Sequence, residues 1–385
     1  MGGPGVMFIT ANIGSLSDQP GEMQKNWFQE LFQTIHRCNP EFIALHLQEF
    51  GGKEYEKNME AAEKLIRMLI ESQELSSYER VQAFIDTDYS QPERFTALGS
   101  IYLIHKSLNR IQIYNFKEKH FATFSGHNLF LGSLGDCPLV QKERFPQDFW
   151  KEFPWTRKGF MRTRWQLHDR TFDLVNLHLF HDASNLISLE LSPSIYSLNR
   201  SKALNHVLNR LQDTEEVPFF LFGDFNFRLD LKSFILAESW TQKEMTEKGT
   251  VLYEQEGLVK LIIQNKVFDH KNMEIFQENN VQSLRKFDSE PLPFLSRLAE
   301  MPIFFPPSYP FSEDITRPSQ FMGTRCPSWC DRVLMSYSAR ALLNKVKDEE
   351  SDVQYDRIGA DVCMGDHKPV FLYWEMELPI ENHVK

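Results

Sequence analysis

Short apolar runs alternate along this chain with longer segments of helical period. Residues 7–11 form an apolar run of strand length, and Trp27, Phe28, Leu31, Phe32 and Ile35 then recur at helical spacing until Asn39-Pro40 stops them. Residues 42–47 read as the next strand, 56–72 as a second helix and 97–104 as strand. The runs 160–167 and 172–179 flank Asp169-Arg170 and predict a hairpin. Leu204, Val207, Leu208 and Leu211 mark a further helix, followed by strands at 219–222, 333–336 and 370–374. Strands that follow one another directly, mixed with strands joined through a helix, predict an α/β (α+β) fold with mixed sheets. One domain spanning 1–385 is expected, with residues 231–300, charged and less regular, as a helical insertion. Seven prolines between Pro291 and Pro318 are interleaved with Phe294, Phe304, Phe305, Tyr309 and Phe311, which predicts an ordered loop packed on the body rather than a linker. The acidic cluster Asp348, Glu349, Glu350 and Asp352 reads as a solvated loop.

Charge narrows the choice of partners. Among 385 residues, 42 Lys+Arg face 53 Asp+Glu, a net charge of −11 that argues against a nucleic-acid binder. Hydrophobic residues at 42%, with 32 Phe, suffice for a large core. No apolar run approaches the roughly 18 residues of a membrane span. The first residues lack the pattern of a signal peptide, and Val6 stands where a myristoylation site wants Ser or Thr. Five widely spread cysteines, an odd number, read as reduced thiols of a cytoplasmic protein. A monomer is expected.

The polar residues fall at the ends of the predicted strands. Asn12, Glu49, His178, Asp224 and Asn226 follow strands, while Asp331 and Asp366-His367 precede them. In a mixed sheet such ends share one edge, so these residues can converge on one site. Hard oxygen ligands with acid/base groups and no thiolate favour Mg²⁺ over Zn²⁺. Taken singly, each has a plainer reading: Asp224 and Asn226 as turn residues, His178 as a satisfied half-buried side chain, Asp366-His367 as a polar turn. Arg157, Lys158, Arg162 and Arg164 put four cations within eight residues, and Lys158, Arg162 and Arg164 share one strand face. Such a face suits a polyphosphate, or equally protects an edge strand by charge. Cys326 and Arg332 have the Cys-x5-Arg spacing of cysteine-dependent phosphatases. The enclosed Pro327, Trp329 and Asp331 spoil an anion cradle, so that spacing reads as coincidence.

Thr10-Ala11-Asn12, Gln48-Glu49, Asn176-Leu177-His178-Leu179, Gly223-Asp224-Phe225-Asn226-Phe227-Arg228, Phe305-Pro306-Pro307-Ser308-Tyr309, Pro327-Ser328-Trp329-Cys330-Asp331-Arg332 and Gly365-Asp366-His367-Lys368-Pro369-Val370 occur in that order. Together they resemble the motifs of inositol polyphosphate 5-phosphatases, across residues 7–375. Residues 95–100, 157–160 and 178–185 look like the type I branch, which acts on soluble inositol phosphates. The resemblance implies a DNase I-like four-layer sandwich, two packed mixed β-sheets flanked by helices. It implies that Glu49, helped by Asn12, binds Mg²⁺ and that Asp224 positions or deprotonates the attacking water. Asn226 and His178 would contact the phosphoryl group, with His367, oriented by Asp331, stabilising its charge. Lys158, Arg162, Arg164 and Lys368 are the expected ligands of the remaining phosphates. The expected substrates are inositol 1,4,5-trisphosphate and inositol 1,3,4,5-tetrakisphosphate, whose hydrolysis ends a calcium signal. The alternatives left open are a phosphoinositide lipid 5-phosphatase, another phosphodiesterase of this fold, and a non-enzymatic inositol phosphate binder. Two features depart from the pattern. Pro310 stands where many lipid-directed members carry Lys, and the chain ends Asn382-His383-Val384-Lys385 rather than in a prenylation box. Peripheral association with the plasma membrane therefore stays open.

Overall fold

The computed structural model describes residues 3–18, 21–150, 156–212, 217–246, 249–343 and 353–377. The acidic cluster 348–352 and the terminal residues 382–385 lie outside the described residues. Every position of the strands Gly5–Asn12 and Phe42–Gln48 is buried, which explains why they are mostly apolar on both faces. Alternation then sorts the side chains. Met7, Ile9 and Ala11 face the helices Glu22–Cys38 and Tyr55–Ile70, whereas Val6 and Phe8 face a second sheet.

The first sheet has seven strands in the order Gln354–Arg357, Val370–Glu375, Gly5–Asn12, Phe42–Gln48, Gly99–Ile104, Arg80–Asp86 and His127–Gly132. The second runs Leu298–Glu300, Asp331–Ser336, Phe219–Asp224, Arg170–His178, Gly159–Leu167, Ile111–Asn115 and His120–Ala122, with Gln141–Arg144 also paired to Gly159–Leu167. Both are mixed. Gly5–Asn12 is parallel to Phe42–Gln48 and antiparallel to Val370–Glu375, and Arg170–His178 is parallel to Phe219–Asp224 and antiparallel to Gly159–Leu167. Between the sheets Phe8 stacks on Phe222 at 4.8 Å and meets Trp374 edge-on at 4.9 Å. Such pairs contribute about 0.5–1.5 kcal/mol each beyond area burial. Helix Ile195–Arg210 closes the outer face of the second sheet through Ala203, Leu204 and Val207 against Val175, Leu177 and Leu221. The layers are thus helix, sheet, sheet, helix, as the resemblance implied.

The helical reading of 231–300 requires correction. Among the described residues α-helix is confined to Leu231–Ala237 and Val281–Arg285, with short 3₁₀ turns at Met273–Phe276, Glu278–Asn280 and Leu292–Phe294, and Thr241–Thr246, Thr250–Gln255, Leu258–Gln264 and Val267–His270 form a separate four-stranded antiparallel sheet. Val251 with Tyr253 and Leu261 with Ile263 alternate at period two and are buried, which is strand patterning. The segment from Pro291 to Pro318 is an ordered loop: Phe294, Phe305, Ser308 and Phe311 are buried, while Phe304 is exposed.

Candidate active site

Strand register builds one row of the site. His178 is paired with Asp224 across a parallel pair, and Asp224 with Asp331 across an antiparallel one. The row requires close strand approach: a Cβ on Gly223 would lie 2.0 Å from the Leu177 carbonyl oxygen. From the first sheet come Asn12, the last residue of its strand, and Glu49, which follows Phe42–Gln48 in a left-handed conformation (φ 54°). His367 enters from the turn before Val370–Glu375.

These residues meet around Asp224. Its Oδ2 accepts from Asn12 Nδ2 at 3.1 Å and lies 3.1 Å from His178 Nε2 and 4.0 Å from His367 Nε2. Its Oδ1 accepts the Asn226 backbone N–H at 2.8 Å. The turn role of Asp224 and its place in the site are therefore both real. Asn226, at φ 52°, donates from Nδ2 to the Leu179 carbonyl at 3.1 Å and accepts from Arg228 Nη2 at 2.6 Å, so both ends of its amide are oriented. On the far side His367 Nδ1 lies 2.8 Å from Asp331 Oδ2, which also accepts from Ser308 Oγ at 2.7 Å. Tyr309 packs on the His367 ring at 4.5 Å, and the Arg228 guanidinium covers Tyr309 at 4.5 Å. Ser308, Tyr309 and Arg228 are the functional neighbours that strand-end reasoning missed. Their signal was a Ser-Tyr pair in the aromatic-rich proline loop and an Arg two residues after Asn226.

Burial alone would neutralise this cluster, but the charges within it oppose that. Burial raises Asp224, yet His178, His367 and Lys158 outweigh it and hold the carboxyl well below its ordinary range. Burial likewise works against charge on His367, but Asp331 and Asp224 push its pKa up to about 10. Burial lowers the His178 imidazole, and the Lys158 ammonium beside it acts in the same direction. Lys158 contacts that imidazole and sits 3.6 Å from Glu49, where it and His178 overcome burial and hold the carboxyl at about 2. Glu49, His178, His181, Arg157 and Lys158 line one cleft. A second, narrow pocket lies beside Arg228, Arg325 and Asp182.

The donor set fits a hard cation at Glu49 and Asn12. A Cβ placed on Gly14 would lie 2.8 Å from Glu49 Oε2 and 3.4 Å from Asn12 Oδ1, so the missing side chain leaves a cradle bounded by both oxygens. Asp224, Asp331 and His367 also bring ligand atoms within 4.8 Å of one another. Asp331 Oδ2 already bonds His367 and Ser308, and Asp224 Oδ2 bonds Asn12, which suits proton handling better than a cation seat.

Three of the expected phosphate ligands are placed otherwise. Arg162 and Arg164 both bind Asp173, at 2.6 and 2.7 Å, and lie over the rings of Phe116 and Tyr114, so their charge is spent within the second sheet. Lys368 is fully buried and donates to the Gly359 carbonyl at 2.7 Å and to the Val362 carbonyl, away from Asp224. The face shared on paper was real, but a buried Asp on the adjacent strand takes up the cations. Lys158 alone of the four reaches the cleft. The Cys326–Arg332 spacing is a coincidence: burial pushes the Cys326 thiol up, and Arg332 is held by Asp288 at 2.8 Å and Glu300 at 2.5 Å.

Comparison with known proteins agrees with this geometry. The family profile described as Endonuclease/Exonuclease/phosphatase family 2 matches residues 17–373. Inositol polyphosphate-5-phosphatase A of Homo sapiens is 47% identical over 382 residues, 96% of this chain and 93% of that protein. A probable type I inositol 1,4,5-trisphosphate 5-phosphatase of Caenorhabditis elegans is 34% identical over 411 residues, 95% of this chain and 98% of the relative. The crystal structure of the inositol polyphosphate 5-phosphatase domain of SPsynaptojanin, in complex with inositol 1,4-bisphosphate and calcium ion, superposes with a TM-score of 0.52 at 12% identity. It covers 97% of this chain and 84% of that one, and shows the common DNase I-like fold. The chain belongs to the inositol polyphosphate 5-phosphatase family.

Proposed function

We propose that this phosphatase hydrolyses the 5-phosphate of soluble inositol 1,4,5-trisphosphate and inositol 1,3,4,5-tetrakisphosphate with Mg²⁺, in the cytoplasm, and so ends a calcium-mobilising signal. The observation that carries it is an ionised Asp224 held among Asn12, His178 and a protonated His367. Asp224 orients the attacking water and takes its proton. His178 and the second amide proton of Asn226 donate to the phosphoryl oxygens. His367 Nε2, charged through Asp331, donates where negative charge grows as the bond to the inositol oxygen breaks. Glu49 and Asn12 would hold Mg²⁺, which would supply Lewis-acid stabilisation of the scissile phosphate. Lys158 stands beside that position and is the cation nearest the incoming phosphates. The substrate named for the nematode relative supports the choice of trisphosphate. Free thiols at all five cysteines fit a reducing compartment, and no helix among the described residues is long and apolar enough to cross a membrane.

The test is phosphate release from inositol 1,4,5-trisphosphate, inositol 1,4-bisphosphate and short-chain phosphatidylinositol 4,5-bisphosphate, each with Mg²⁺ and with EDTA. Mg²⁺-dependent release from the trisphosphate alone is expected. Equal lipid hydrolysis would make this a phosphoinositide phosphatase, and silence on all three would overturn the proposal.

A further inference from the structure

The two halves of the site stand on different sheets. Asn12 and Glu49 belong to the first, and His178, Asp224 and Asp331 to the second. Apolar packing between sheets is non-directional and does little to oppose a small slide. A displacement of about 1 Å at a reacting centre is enough to cost roughly 100-fold in rate. The layer between the sheets, otherwise Phe, Trp and aliphatic, also contains buried polar side chains, and these are joined in two chains.

In the first chain Thr10 Oγ1 donates to Gln48 Oε1 at 3.2 Å, and Gln48 Nε2 donates across the sheets to Asn176 Oδ1 at 2.8 Å. Asn176 Nδ2 returns to the first sheet, donating to the Gly99 carbonyl at 2.8 Å and the Leu47 carbonyl at 3.2 Å. In the second, Trp165 Nε1 donates to Thr163 Oγ1 at 2.9 Å, Thr163 to Tyr102 OH at 2.7 Å, and Tyr102 to His46 Nε2 at 3.2 Å. His46 Nδ1 then donates to the Phe222 carbonyl at 3.1 Å. The direction is forced, because an indole N–H only donates and a carbonyl only accepts. Burial lowers His46 to about 3, which keeps it neutral as the chain requires. Satisfied polar chains in a low-dielectric layer fix geometry that apolar contacts leave free.

The chains differ in where they act. Gln48 immediately precedes Glu49 and Asn176 lies two residues before His178, whereas the Tyr102–Thr163 bond lies deeper in the sheets, away from that edge. We infer that the Gln48–Asn176 hydrogen bond fixes Glu49 against the His178–Asp224 pair, so that Gln48 and Asn176 are positioning residues for phosphate hydrolysis. This rests on the proposed function. It needs neither residue to touch substrate.

The experiment compares wild type, the apolar double variant Gln48→Met with Asn176→Leu, and the remote control Tyr102→Phe with Thr163→Val. Thermal melting, calorimetric Mg²⁺ binding, kcat and KM for the trisphosphate are read on each. The site pair is expected to lower kcat about 100-fold, to weaken Mg²⁺ binding and to leave KM nearly unchanged, while the control lowers Tm with wild-type kcat. Wild-type kcat and Mg²⁺ affinity in the site pair would overturn the inference, as would equal losses in the control. Should the site pair not fold, Thr10→Val, which cuts the same chain isosterically, is expected to lower kcat several-fold at wild-type Tm; unchanged kcat would overturn it. A wild type that releases no phosphate would count against the proposed function, and the Mg²⁺ titrations would still decide the positioning role.

Discussion

His367 and Asp331 are joined by a 2.8 Å contact between Nδ1 and Oδ2, with the other ring nitrogen directed at Asp224 4.0 Å away. One imidazole thus connects two buried carboxylates, and its outward N–H is set by the inward one. Ser308 adds a second donor to the same Asp331 oxygen, which keeps that oxygen an acceptor.

This relationship sets an alkaline limit. Turnover is expected to persist through neutral pH and to fall as pH nears about 10, where His367 loses its proton. The folded value is raised above the unfolded one, about 6.5. The associated stability is therefore complete below that value and disappears as pH rises through the folded pKa. Melting curves between pH 7 and 10.5 for wild type and His367→Gln test this, since the variant should lose the His367 share of the decline. Identical pH dependence in both would refute it. In Asp331→Asn the alkaline limb of kcat should move to lower pH.

Asp224→Asn should keep the fold and lower kcat about 1,000-fold, within the range for loss of a general base. Asn226→Ala should lower it about 100-fold, the effect of removing one positioned donor. Steady-state kinetics with circular dichroism checks both. Near-wild-type turnover in Asp224→Asn would remove the residue from the mechanism.

The cation pattern gives a contrast between neighbours. Lys158→Met should raise KM for the trisphosphate by roughly tenfold or more, as loss of a charge-assisted contact does. Arg162→Met and Arg164→Met should leave KM unchanged and lower Tm, because each leaves Asp173 poorly paired in a buried place. A KM effect at Arg162 as large as at Lys158 would show that the strand face does meet substrate.

Arg332 has no exposed side-chain surface and binds Asp288 and Glu300 together. Arg332→Met should cost about 3 kcal/mol in urea unfolding, since Asp288 and Glu300 lose their buried guanidinium and keep only Arg285 and the Tyr355 hydroxyl. Cys326→Ala should keep kcat within about threefold, the usual outcome when a residue has no part in chemistry. A large loss of turnover there would revive a thiolate mechanism.

Period and strand order made mixed α/β sheets legible in the sequence, while the four-layer sandwich followed only from the motif resemblance. The runs 7–11, 42–47 and 219–222 are apolar apart from Thr10 and His46 because both faces of their strands are almost wholly covered. Asn12, Glu49, His178, Asp224, Asp331 and His367 were legible because a mixed sheet brings the ends of some strands to the starts of others. What one sequence hid was competition between partners. Nothing local to Arg162 and Arg164 says that Asp173 will stand opposite them, and nothing near Lys368 marks the Gly359 and Val362 carbonyls as its acceptors. The sheet at 241–270 was hidden for a related reason. Its outward positions include Leu252, Leu258 and Ile262, which blur the alternation carried by Val251, Tyr253, Leu261 and Ile263.

At Gly14 a single methyl is expected to silence the enzyme without touching a charge. The missing methyl is the space between Glu49 and Asn12, so Gly14→Ala would leave every acid, base and cation in place while filling the seat they surround. A scan confined to ionisable side chains would pass over that position. Calorimetric Mg²⁺ titration of Gly14→Ala, with binding abolished and Tm retained, would reveal a vulnerability created by the one residue that contributes no side chain.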